Sequence, residues 1–146
     1  DNWIHMEAKE ENLDLVFSLE NHDQMIIFIV DPNLSCDARL VYTNRGFEPK
    51  DFDVMSGETF DWKLSGQSYE GENASRLNAD GYVRWELMSF YKHHFSKLEE
   101  LLSKRGQISF SINDPLNRFE KQEIEMKANG LSSALNSALD TCQGWT

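Results

Sequence analysis

Two cysteines, Cys36 and Cys142, and four histidines, His5, His22, His93 and His94, are the residues of this 146-residue chain that could do more than titrate at a surface. The cysteines are too far apart for a Cys-x-x-Cys pair, and neither has a Cys or His at metal-ligand spacing. They read either as a pair of inert buried thiols or as one disulfide. Cys142 lies close to the C-terminal end, and a bridge there would tie down a segment that otherwise frays. Closing a loop of about 100 residues stabilises by ~4.7 kcal/mol in the chain-entropy treatment. A Cys36–Cys142 bridge is therefore expected, and with it an oxidising compartment, the bacterial periplasm or the cell exterior. The start at Asp1 rather than Met reads as a fragment or as a removed leader, in line with export.

Other chemistry has little support. There is no Gly-x-Ser-x-Gly elbow, and a bridged cysteine is no nucleophile. His94 falls on an apolar stripe between Tyr91 and Leu98 and reads as an interface histidine; His93 points to solvent. Neighbours in a helix do not face each other, so these two cannot chelate together. Asp51-Phe52-Asp53 followed by Gly57-Glu58 lacks the spacing of a calcium loop. Glu10-Glu11, Glu70 with Glu72, Glu99-Glu100 and Glu123 with Glu125 are paired carboxylates. Glycoside cleavage needs two converging at ~5–9 Å, one in an apolar setting that raises its pKa. None of these has that setting, and they read as solvated faces. The sequons at Asn33 and Asn73 read as chance. No catalytic residue, cofactor or metal ligand is expected.

Composition narrows the rest. Hydrophobic residues make up 40% and aromatics 12%, enough for one core and incompatible with disorder. No apolar run approaches the ~18 residues of a membrane span. With 14 Lys+Arg against 25 Asp+Glu, the net charge is −11, which disfavours nucleic acid and anionic lipid as partners. Residues 1–146 are expected to form a single exported globular domain.

The elements that must position these residues follow from periodicity. Trp3 to Ala8 reads as a strand. Leu13, Leu15, Phe17 and Leu19 alternate with Asp14, Val16, Ser18 and Glu20, a period-two strand with one wet face. Met25 to Val30 is an apolar run fit for a strand covered on both faces. Arg39 to Thr43 and the alternation Phe60, Trp62, Leu64 add two more. Ser65 to Gly81, with three glycines and few apolar residues, reads as a loop. Leu87, Tyr91, Phe95, Leu98 and Leu102 then step by helical spacing, ending in Lys104, Arg105 and a Gly106 cap. Ile108, Phe110, Ile112 and Gln122, Ile124, Met126 alternate as strands. After Asn129-Gly130, the stripe Leu131, Ala134, Leu135, Ala138, Leu139, Cys142 predicts a second amphipathic helix with Cys142 on its buried face. The expected class is α+β: an antiparallel sheet or sandwich, two amphipathic helices in the C-terminal half and one disulfide.

Leu98 to Cys142, with the strand Gln107–Ile112, the turn Gly130-Leu131 and the helix ending at Cys142, resembles the C-terminal part of small periplasmic proteins related to invasion-associated locus B. The resemblance covers about a third of the chain. It implies a periplasmic, non-catalytic, β-rich domain and carries over no active-site residues.

Size, acidity, the expected bridge and the lack of a catalytic set lead to a function: an exported inhibitor or immunity protein that blocks a toxin or cell-wall hydrolase. The partner would be basic, since opposite charge steers association. Tyr69, Glu70 and Glu72, in the Gly-flanked segment, are the expected contact residues. A homodimer through an exposed strand edge is a further expectation. The alternative is an envelope accessory or ligand-binding domain without a toxin partner.

Overall fold

The computed structural model describes residues 2–20, 23–44, 58–64, 67–79, 82–90, 106–116 and 120–144. Its strands are β1 (Trp3–Ala8), β2 (Leu13–Ser18), β3 (Gln24–Asp31), β4 (Asp37–Asn44), β5 (Glu58–Leu64), β6 (Gln67–Ala79), β7 (Tyr82–Phe90), β8 (Gln107–Asn113) and β9 (Gln122–Lys127). Helix α1 spans Leu131–Gly144. The strands run in spatial order β1-β2-β3-β4-β7-β6-β5-β8-β9, antiparallel throughout.

Strand β6 makes this ladder into two sheets. From Gln67 to Ala74 it pairs with β5, and from Ser75 to Ala79 it pairs with β7. The second sheet thereby folds back over the first. Tyr42 of β4 lies 5.0 Å from Phe110 of β8, centroid to centroid. Trp3 Nε1 on β1 donates to the Lys127 carbonyl on β9 at 2.8 Å, and Asn44 Nδ2 on β4 donates to Gln122 Oε1 on β9 at 2.8 Å. Between the layers Trp3, Val16, Phe28 and Leu40 meet Trp62, Leu64, Phe110 and Ile124 in one core. Helix α1 covers β1, β2 and β3 with Leu131, Ala134, Leu135, Ala138 and Cys142 buried, the stripe its sequence predicts.

Cys36 and Cys142 form the expected disulfide, with Cα atoms 5.9 Å apart. The chain reaches Cys36 through a single turn at Pro32–Leu34. Asp31 caps this turn by accepting from the Asn33 amide at 2.9 Å. Ser35 and Cys36 then take the left-handed conformation, φ 57° and 62°. Each such non-glycine residue costs ~1–2 kcal/mol. The Cys36 amide recovers part of that by donating to the Asp31 carbonyl at 2.9 Å.

Three expectations need correcting, the first of them only at its start. Of the two expected C-terminal helices, the second is α1, the α-helix among the described residues. The expected first helix would begin at Leu87, but Leu87 lies in β7; Tyr91, His93, His94, Phe95, Leu98 and Leu102 fall outside the described residues. Val83, Trp85 and Leu87 alternate with Arg84 and Glu86, and pairing with β4 on one side and β6 on the other settles that segment as strand. Second, Gln67–Ala79 is a strand rather than a loop. Its first part is held by pairing with β5 and its second by pairing with β7, so backbone hydrogen bonds place it with few apolar residues. Third, β2 turns the other way. Asp14, Val16 and Ser18 face the core, while Leu13, Leu15 and Phe17 are half-buried on the opposite side.

Tyr42 is fully buried on β4, its hydroxyl accepting from Gln24 Nε2 at 2.9 Å and Asn44 Nδ2 at 3.2 Å. Burial pushes its phenol above the ordinary value of 10.0, against the two hydrogen bonds, which pull it down. The folded protein thus keeps a proton that the unfolded chain releases. That stabilisation is complete below about pH 10 and is lost as pH rises through the folded value. In urea unfolding across an alkaline series, Tyr42→Phe is expected to flatten the fall in stability. A fall identical to wild type would refute this coupling. At neutral pH, Phe28→Ala is expected to cost about 3–5 kcal/mol and Leu19→Ser, at an exposed position, within about 0.5. Similar costs at both would show the core lies elsewhere.

Candidate functional site

Two places on the molecule gather residues beyond what packing requires. The first is a groove on the outer face of the first sheet. Leu15 of β2 pairs with Ile29 of β3, and with Leu13 and Ile27 they make an apolar floor. Glu11 and Thr43 close its ends, and its volume is 340 Å³. The floor exists because β2 presents its leucines outward while Asp14 and Val16 turn into the core. The tight turn between β1 and β2, with Asn12 at φ 54°, carries the exposed Glu10 and Glu11, and Glu11 lines the groove; Glu7, also exposed, is on the opposite face of β1, across from Asp14. Arg39 follows on β4, in register with Ile29; its Nε is buried with no hydrogen-bond partner among the described residues.

A wider recess of 740 Å³ lies on the outer face of the second sheet, over Lys63, Ser109, Ser111, Lys121, Glu123 and Glu125. Lys121 Nζ and Glu123 Oε1 meet at 3.0 Å, both well exposed, so the pair contributes little. Acids and bases alternate there and leave no field of one sign. We therefore place the candidate interface at the groove.

The second place is a hydrogen-bonded chain of three side chains. Asp14 on β2 is wholly buried, and its Oδ1 lies 2.6 Å from His5 Nε2 on β1. The other ring nitrogen, Nδ1, lies 2.8 Å from Ser137 Oγ on α1. A carboxylate only accepts, so Nε2 carries the proton and donates to it. In the neutral ring Nδ1 then holds a lone pair, and the Ser137 hydroxyl donates to it. The His5 side chain is 11% exposed and Ser137 stands at the surface. No other feature of the sequence marks this trio. Ser137 is 132 positions from His5, and Asp14 sits on the strand face that reads as wet from alternation alone.

The expected contact residues lie elsewhere. Tyr69 pairs with Trp62 and Glu72 with Phe60 across β5–β6, and the register shifts between these pairs. Tyr69, Glu70 and Glu72 are therefore strand residues of the second sheet, separated from the β2–β3 floor of the groove by β4 and β7. Among the described residues no three His, Cys, Asp or Glu side chains gather as a metal site.

The fold defines a disulfide-bridged pair of antiparallel sheets closed by a C-terminal helix. No family model, curated protein or solved structure matches the chain.

Removing the Asp14 carboxylate strands a buried imidazole N–H. Asp14→Ala is expected to cost about 1–3 kcal/mol, whereas Ser137→Ala, at the wet end of the chain, should cost under about 1. Chemical denaturation of both variants measures the difference; equal costs would show that the trio does not bear on stability as a buried pair with an exposed end.

Proposed function

We propose that this is a non-enzymatic protein of the periplasm or cell exterior that binds and blocks a basic protein, as an inhibitor or immunity protein against a toxin or cell-wall hydrolase. One observation carries the reading: an apolar groove with the exposed carboxylate of Glu11 in its lining and exposed Glu10 in the same turn, on a chain of net charge −11. The floor offers contact area to aliphatic side chains of the partner, and the acids offer pairs to its lysines and arginines. The charge raises the encounter rate with a cationic surface. The disulfide suits an oxidising compartment, and the resemblance to locus-B proteins points the same way. Blocking would be steric, the turn between β1 and β2 entering or covering the partner's cleft.

Arg39 favours a second reading, an accessory domain that holds a small amphiphile. Its guanidinium, partly buried beside Ile29, would meet an anionic head group while an alkyl chain fills the groove.

Surface plasmon resonance against a panel of basic cell-wall hydrolases, at low and high salt, tests the first reading. Leu15→Ser is expected to raise the dissociation rate. Glu10→Lys with Glu11→Lys should slow association, by less as salt shortens the Debye length from about 10 Å. A triple variant Tyr69→Ala, Glu70→Lys, Glu72→Lys should bind as wild type. If that triple variant alone loses binding, the interface is on β6. If no basic hydrolase binds but long-chain carboxylates do, and Arg39→Ala releases them, the second reading replaces the first.

A further inference from the structure

We propose that Ser137 is an activated nucleophile, which His5 and Asp14 prepare to accept an acyl group from an activated ester. The reading is independent of the partner-binding one. It starts from the order of the chain: buried carboxylate, imidazole, surface hydroxyl, joined at 2.6 Å and 2.8 Å. Asp14 fixes which imidazole nitrogen is bare, and that nitrogen faces the Ser137 proton. This is the arrangement by which a base, oriented by a third group, draws a proton from a weak nucleophile. The distances suit proton transfer without rearrangement.

The three parts are also held still. Asp14 sits on the core face of β2, in the row of Val16 and Ser18. His5 pairs with Val16 in the β1–β2 register. Ser137 lies between the buried residues Leu135 and Ala138 of α1, whose far end is bridged at Cys142. The hydroxyl is at the surface, so an ester can reach it.

The surroundings limit the chemistry. Ser137 is in the middle of α1, where backbone N–H groups are spent on carbonyls one turn back. Helical amides at that position offer no cradle for a tetrahedral oxyanion. One such donor is worth about 10²–10³ in rate, so amides and alkyl esters lie out of reach. Acyl donors with a good leaving group remain, such as aryl esters. In the step, Ser137 Oγ bonds to the acyl carbon and its proton passes to His5 Nδ1. The aryl C–O bond breaks, and the leaving phenolate takes a proton from His5 or departs as the anion, which leaves the proton for solvent. Deacylation would need water to attack the same carbon with the same lack of oxyanion donors. The acyl group should therefore stay on Ser137, as a stoichiometric modification rather than turnover.

The test treats the intact, disulfide-bonded chain with p-nitrophenyl acetate, follows nitrophenolate release and maps acetylation by peptide mass spectrometry. Ser133, exposed on the same helix, is the internal reference. The expected result is a burst of one equivalent, with Ser137 acetylated about a hundredfold faster than Ser133, within the range for general-base help. Ser137→Ala should abolish the burst and His5→Gln should reduce Ser137 acetylation to the rate of Ser133. In Asp14→Asn the rate should fall, and the downfield proton resonance of the hydrogen-bonded imidazole N–H should vanish. Equal acetylation of Ser133 and Ser137 in wild type would overturn the proposal without recourse to any variant. So would a burst that survives Ser137→Ala.

Discussion

Much of this architecture depends on how α1 is fastened to the first sheet. The helix brings no charged cap at either end: its first turn carries no acid and its last turn no base. Fourteen residues of helix are marginal in water by themselves. What holds α1 is a stripe of small and medium apolar residues over β1, β2 and β3, and a covalent bond at the end of that stripe. The bond reaches back to a turn in which two successive non-glycine residues sit at positive φ. The chain accepts that local cost because Cys36 must point at the helix rather than continue straight into β4. Once the helix is fastened, the polar pair His5–Asp14 is sealed at the Asp14 end, with His5 slightly exposed and Ser137 at the surface.

The inward turn of Asp14 also decides what the other side of the sheet looks like. A two-residue period leaves no choice: if Asp14, Val16 and Ser18 go in, then Leu13, Leu15 and Phe17 go out. Sealing an acid in the core and presenting leucines on the outer face are one event. The same register that builds the hydrogen-bonded trio builds the groove. The strand thus links a polar interior site to an apolar exterior one.

Legibility from sequence varied with how local the cause was. β1 was readable to the residue, and α1 with its buried Cys142 followed from its stripe and from the Asn129-Gly130 turn, where Gly130 takes φ 85°. β6 was not readable, because nothing in Gln67–Ala79 announces a strand; its neighbours β5 and β7 impose it. The face of β2 was not readable either, since Val16 sits among the polar set and leucines on the other, and only the position of α1 breaks the tie. The trio could not be found, as its members come from three elements and each residue type is ordinary where it stands. The bridge was legible because two lone cysteines leave one pairing.

The order of strands in space has a consequence for how the chain assembles. β1 to β4 are neighbours in sequence and in the sheet, so these four strands can zip up by short hairpin steps. The next strand in sequence, β5, does not join them. β4 must wait for β7, and β5 for both β6 and β8. Until then β4 is a bare edge at the margin of a half-built layer, with unpaired amides open to any extended chain. Closure of distant pairs is slow compared with hairpin formation, on the ms–s scale for sheet proteins dominated by non-local pairing. The cysteine that locks the result follows all nine described strands in sequence. Oxidation can therefore seal the fold only after every one of those strands has been made, the chain until then still reduced and incompletely paired.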